Sequence, residues 1–244
     1  MLAPVLPTII AVLADGHTFN GANVWLKPLH FQLALAIHMA TLAILMPVVS
    51  PAWQNTRLLR WPLLAASASA MLELGYIMLQ AARGRASHFN QETGLEIALY
   101  GLMGIGSLML VAAPAMVGIA IWRSVTVYRD SQVRLGAAIG LILGSALTLA
   151  VAGYMSTLTT HLASGPQTDA FGLPFLGWAT RGGDLRVPHF FATHMMQALP
   201  LAGLAADRLG WRQAWLMPLL ATIYLIAVLS LFGEALAGIP FIKL

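Results

Sequence analysis

Six stretches of about 20 mostly apolar residues, joined by short polar links, dominate the chain, and each is long enough to cross a hydrocarbon core of ~30 Å as a helix. Inside a bilayer every backbone N–H and C=O has to be satisfied within the protein, so such stretches fold as helices. The expected fold is all-α: a polytopic transmembrane helix bundle forming one domain over residues 1–244, with six full spans and a short N-terminal partial or interfacial helix. The count becomes seven if that N-terminal segment also crosses. Composition agrees, since 59% of the residues are hydrophobic and 9% charged, against roughly 25% charged in a soluble domain. The formal net charge of +4 belongs to loops beside spans rather than to a nucleic-acid-binding face. The sequence has no cysteine, which excludes disulfides, thiolate metal sites and thiol catalysis, and leaves His, Met and carboxylates as ligand types.

Residues 2–14 are apolar but broken by Pro4 and Pro7, too short for an ordinary span and without the basic start of a cleavable signal peptide. A polar link, 15–27, follows. The spans are expected over 28–49, 61–82, 96–122, 135–158, 188–206 and 211–237. Pro28, Pro62 and Pro188 fall in first turns, where the missing N–H costs nothing, whereas Pro114 and Pro200 are interior and predict kinks. Gly136, Gly140 and Gly144 form a small-xxx-small series that predicts close helix packing, within the molecule rather than across a dimer. The one long connection, 160–187, carries Phe171, Phe175, Leu176 and Trp178. It is expected to pack down as a lid on the non-cytoplasmic side.

Alternating spans place Arg57, Arg60, Arg123, Arg129, Arg134, Arg208 and Arg212 at one end of the bundle. Lys27, Arg83, Arg85, Arg181, Arg186 and Lys243 lie at the other. The first set sits in tight loops close to span ends and is assigned to the cytoplasm. All seven histidines (17, 30, 38, 88, 161, 189 and 194) then fall in the opposite half.

Depth makes the pattern more specific. At about 1.5 Å per residue, His38 and Glu73 both lie roughly 14–15 Å below that surface. Glu73, Tyr76 and Gln80 form one polar stripe at i, i+3, i+7. His194 and Gln197 lie at similar depth, and Tyr154 and Thr157 approach from the fourth span. An ionisable group within a span faces the bundle interior and is a functional candidate by default. The expected inner shell is His38, His194 and Glu73, binding a transition metal (Cu, Fe or Zn) or a haem b, with His88 and His189 as further metal ligands. Tyr76, Gln80 and Gln197 support it, and Asp184 and Arg186 order the long loop. A Schiff-base chromophore is excluded because Lys27 and Lys243 both flank spans, and neither a His-Glu-x-x-His zinc signature nor a serine nucleophile elbow is present.

The run Asn20-Gly21-Ala22-Asn23-Val24-Trp25-Leu26-Lys27-Pro28 leading to Phe31 resembles the first-span approach of a broad group of uncharacterised bacterial multi-pass membrane proteins. Ser87-His88-Phe89-Asn90 is similar too, as is Gly182-Gly183-Asp184-Leu185-Arg186 running into His189, Phe190, His194 and Gln197. The resemblance draws His88, Asn90, Asp184, Arg186, His189, His194 and Gln197 together as a set, and with the loop-charge assignment it gives an expected bacterial inner-membrane location with the histidines periplasmic. His30 stands where that group carries a lysine. The leading expectation is a membrane protein with an outward-facing histidine-lined site for metal handling or redox work. The alternatives are a non-catalytic accessory subunit packed against membrane partner subunits and a proton-coupled small-solute transporter. Absent inverted-repeat symmetry counts against the last.

Overall fold

A computed structural model describes residues 3–124 and 131–243. Leu2, and Arg129 and Asp130 from the tight loops, lie outside the described residues. The order is α1 (Val5–Ala14), a minimal hairpin of β1 (Thr18–Phe19) and β2 (Ala22–Asn23), α2 (Leu26–Leu45) continued by a 3-10 turn (Met46–Val48), and α3 (Pro51–Gln54). Then come α4 (Arg57–Ala82), α5 (Gly94–Arg123), α6 (Gln132–Ser156), α7 (Arg186–Arg208) and α8 (Leu216–Leu236).

Five segments are long and apolar enough to cross a membrane: Leu26–Val48, α4, α5, α6 and α8. The protein is therefore an integral membrane protein, and the outward side chains of these helices, such as Leu58, Leu64, Met71 and Leu72 on α4, are exposed as lipid contact requires. The expected sixth span, α7, is not among the five. It has the length, but it carries Arg186, His189, His194, Gln197, Asp207 and Arg208. Within the bundle α6 is the central span, with 56% of its apolar window buried against 17% for α8.

The centre is built on glycine. A Cβ on Gly136 would come within 2.4 Å of the Leu199 carbonyl oxygen, and one on Gly140 within 2.9 Å of the Met195 oxygen. Both contacts are to α7 backbone, so the small-xxx-small series lets α6 and α7 pack backbone against backbone inside one molecule. At the far end of the same pair, Asp207 of α7 accepts hydrogen bonds from the backbone N–H groups of Gln132 (2.9 Å) and Val133 (3.0 Å) and from the Ser131 hydroxyl (2.6 Å). It thereby caps the start of α6 from across the interface.

Two helix starts differ from expectation by a full turn or more. The fourth helix begins at Arg57, a turn early, so Pro62 lies inside it rather than in its first turn. The last helix begins at Leu216 rather than near 211, because Gly210 turns left-handed (φ 73°) and the next residues form turns. The polar link after α1 contains a hairpin that the hydropathy reading passes over: Asn20 (φ 52°) and Gly21 (φ 86°) both turn left-handed, as a two-residue type I′ connection demands.

Candidate functional site

The deep histidines meet where α2 and α7 face each other. His194 lies close enough to both His38 and His189 for their charges to interact. The link between the helices is a directed hydrogen-bond chain. The Thr41 hydroxyl donates to the Ile37 carbonyl (2.7 Å), so its oxygen is free to accept from the Gln197 side-chain N–H (2.9 Å). That fixes the Gln197 amide, whose Oε1 sits 3.1 Å from His194 Nδ1 and can only accept. His194 is thereby held as the Nδ1–H tautomer, with its Nε2 lone pair free. His38 repeats the pattern: the Leu110 backbone carbonyl is its polar neighbour, and its Nε2 is buried with no hydrogen-bond partner. His189 Nδ1 and His30 Nε2 are also buried and unpartnered. Leaving a buried polar nitrogen unpaired costs about 1–3 kcal/mol, so a group of them in one region calls for an explanation.

Glu73 does not join this seam. It is buried on α4 and turned to α5, 3.4 Å from the Ser107 hydroxyl and against Gly106. The expected stripe splits at that point. Tyr76 donates to Glu96 (2.6 Å), as does Gln80 (2.8 Å), and Arg83 and Arg85 lie 3.6 and 3.7 Å from the same carboxylate. Glu96 is the residue the sequence reading missed. Its signal was Thr93-x-x-Glu96, a capping-box spacing, and Thr93 does cap α5 by accepting from the Glu96 N–H. Tyr154 and Thr157 are not brought to the histidines either: Tyr154 packs edge-on against Phe232 of α8, and Thr157 is exposed.

Closer to the membrane surface, residues 157–185 fold over the histidine end. Phe175 meets the His30 ring edge-on at 5.2 Å, and Trp178 is buried among Phe190, Phe191 and Phe241. Arg186 fastens this connection, forking onto Asp184 (2.7 Å from NH2 to Oδ2) and reaching Asp169 (3.0 Å) and the Gly177 carbonyl (2.6 Å). Asp169 also meets His161 (3.1 Å) and accepts from Asn20 (3.1 Å), tying the loop to the hairpin. Burial would raise the Asp169 carboxyl, but the His161 and Asn20 bonds and the Arg186 charge outweigh it and hold it at about 2. Asp15, which takes hydrogen bonds from the Trp25 indole and from His17, is likewise held at about 2. His88 is half-buried, its ring between Phe31 (5.5 Å) and Tyr100 (6.1 Å). Burial, and secondarily the Lys27 charge, push it well below the usual imidazole range.

Among the described residues no group of three His, Asp or Glu is positioned to hold a metal ion. A cavity of about 270 Å³ lies at the opposite end, lined by Pro47, Val48, Ser131, Val133 and Asp207. The Asp207 carboxylate there is committed to the α6 cap, so that cavity offers no reactive set. No protein-family model, no curated protein and no solved structure matches the chain.

Proposed function

We propose that the protein is a six-span integral membrane protein whose α2–α7 seam binds a transition-metal ion through His38 and His194, with His189 beside them. The carrying observation is the pairing of two imidazoles on facing helices, each beside a carbonyl oxygen (Leu110, Gln197), with the His38 Nε2 buried and unpartnered and the His194 Nδ1 turned to Gln197. That is the state in which histidine ligates metals, and the carbonyl partner is the usual second contact that orients such a ligand. A soft ion tolerant of few ligands, such as Cu(I), suits two imidazoles better than the octahedral oxygen cages of Mg or Ca. Haem b is the less favoured occupant, because the Phe190 ring sits 4.2 Å from that of His194 and crowds the space a macrocycle would need.

In this reading α7 is the sixth crossing. Its 23 residues rise about 34 Å at roughly 1.5 Å each, and its glycine-matched contact with α6 shields it from lipid. The tight arginine-bearing loops fit a cytoplasmic end, which puts the histidines outside, in keeping with the resemblance to bacterial inner-membrane proteins.

A proton-coupled transporter is the second reading. It is favoured by Glu73, a buried carboxyl whose one hydrogen bond is the long contact to Ser107 and which has no cation within ion-pair distance. The test is elemental analysis and a visible spectrum on protein purified in mild detergent. Near-stoichiometric Cu, Fe or Zn, lost in His38→Ala and His194→Ala and kept in Glu73→Gln, supports the metal site. A colourless, metal-free protein that stays empty after reconstitution with these metals and haem sinks it.

A further inference from the structure

The Glu73 carboxyl lies about 14 Å along α4 from that helix's end at Ala82, well inside the hydrocarbon core. Glu73 is 5% exposed, and its room is made by a glycine: a Cβ on Gly106 of α5 would come within 2.6 Å of Glu73 Oε1. A carboxylate only accepts hydrogen bonds, so an ionised Glu73 needs donors or a cation in a setting without water. The donors along α4 are engaged elsewhere. Tyr76 and Gln80 both donate to Glu96, and Arg83 and Arg85 reach that same carboxylate. On its other side α4 shares with α2 an apolar cluster of Leu35, Met39, Ala70 and Leu74. The titratable group of α2 at this depth, His38, is turned to Leu110 and His194. Among the described residues no Lys, Arg or His lies within ion-pair distance of Glu73.

Ser107 is the remaining contact, and its hydroxyl has a single hydrogen. The Met103 carbonyl, one turn back on α5, lies 3.0 Å from Ser107 Oγ, whereas Glu73 Oε1 lies 3.4 Å away. The shorter bond takes the hydrogen, as serine does when it bonds back to the preceding turn of its own helix. What Ser107 then turns to Glu73 is a lone pair. A carboxylate facing a lone pair, with no donor and no water, is in the setting where an acid keeps its proton instead. A carboxylic acid satisfies the same geometry, because its O–H supplies the one hydrogen that the Glu73–Ser107 contact lacks. Ser107 and Leu72 beside the carboxyl are exposed. On spanning helices that surface is lipid, so the carboxyl lies at the edge of the bilayer interior rather than behind a packed wall.

We propose that Glu73 is a proton-binding site inside the bilayer: a carboxylic acid whose O–H donates to Ser107 Oγ, and which hydrophobic carbodiimides modify from the lipid side. In that modification the acid proton moves to a carbodiimide nitrogen while the carboxyl oxygen bonds to the central carbon. An O-to-N acyl shift then gives a stable N-acylurea, with no atom lost. The inference deepens the proton-coupled reading, and rests on it for the use made of the proton. The test is infrared spectroscopy of the full chain in phosphatidylcholine vesicles at neutral pH, with dicyclohexylcarbodiimide labelling mapped by peptide mass. The expected spectrum has a carboxylic-acid C=O band that the isosteric Glu73→Gln lacks. The expected label is one reagent per chain at Glu73, abolished in Glu73→Gln, with the exposed Glu92 unlabelled. A water-soluble, cationic carbodiimide leaves Glu73 unmodified. If Glu73→Gln does not fold, the mapped label on the wild-type chain decides. An identical carboxylic-acid region in wild type and Glu73→Gln overturns the proposal, as does a Glu73 that stays unlabelled. Proton-driven flux in the same vesicles is read separately: a labelled acid without flux sinks the transporter reading and leaves the acid in place.

Discussion

The two sides of α7 are built on opposite principles. Toward α6 it meets glycines, with its own carbonyls at Met195 and Leu199 in reach of Gly140 and Gly136, and no polar side chain intervenes at those contacts. Toward α2 it presents His194 and Gln197, joined across the gap by one hydrogen bond from Gln197 to Thr41. Close packing of small residues is what stabilises helix pairs in lipid, where the hydrophobic effect does not drive helices together. The glycine side therefore holds α7 in place, and the polar side is free to carry groups that stability alone does not require. Buried ring nitrogens without a hydrogen-bond partner are found at His38 of α2 and His189 of α7.

This contrast predicts unequal responses to substitution. Gly136→Ala drives a Cβ into a backbone carbonyl that cannot step aside, and overpacking of this kind costs about 1–3 kcal/mol. A large fall in melting temperature in detergent is expected, whereas Gly101→Ala on α5, with nothing within 4 Å of its Cβ, leaves it unchanged or slightly raised. If both variants melt alike, the packing contrast is wrong.

Acid acts next, on the loop that covers the polar side. The Asp169 carboxyl lies at about 2 against an ordinary 3.8. Its contribution to the latch is complete above about pH 4 and lost as pH falls toward its folded value, because the opened state takes up the proton first. Protease cleavage within 157–185 should be flat from pH 8 to about 5 and rise below about 4. Cleavage that stays flat down to about pH 2 would remove Asp169 from the latch.

Gln197→Leu should cost about 1 kcal/mol, the worth of a hydrogen bond between membrane helices, and also release the His194 tautomer. The smallest stability effect is expected for His38→Phe, which removes a buried nitrogen that has no partner. It should melt within about 1 kcal/mol of wild type, or above it, while losing metal. A strongly destabilised His38→Phe would mean that the imidazole is structural.

Much of the fold was legible in the sequence because hydropathy and helical rise are local properties. The apolar runs located α2, α4, α5, α6 and α8. What counting does not fix is the rotation of each helix against its neighbours. Tyr76 and Gln80 share a stripe with Glu73, yet they turn to Glu96 at the next helix start, and Tyr154 turns to Phe232. Asp169 escaped notice because its partners are 17 residues away at Arg186 and 149 residues away at Asn20. The Asn20-Gly21 turn was readable from its residue types but was submerged in a polar link.

The most direct test of the seam as a metal site is a melting curve of the apo protein titrated with Cu(I), Zn(II) and Fe(II), in wild type and in the His38→Phe, His194→Phe double variant. A ligand that binds only the folded state raises stability by about 2.7 kcal/mol at a hundred times its dissociation constant. The account predicts a saturating rise for one of these ions in wild type and none in the double variant. The same rise in both, or no rise with any ion in wild type, would contradict it.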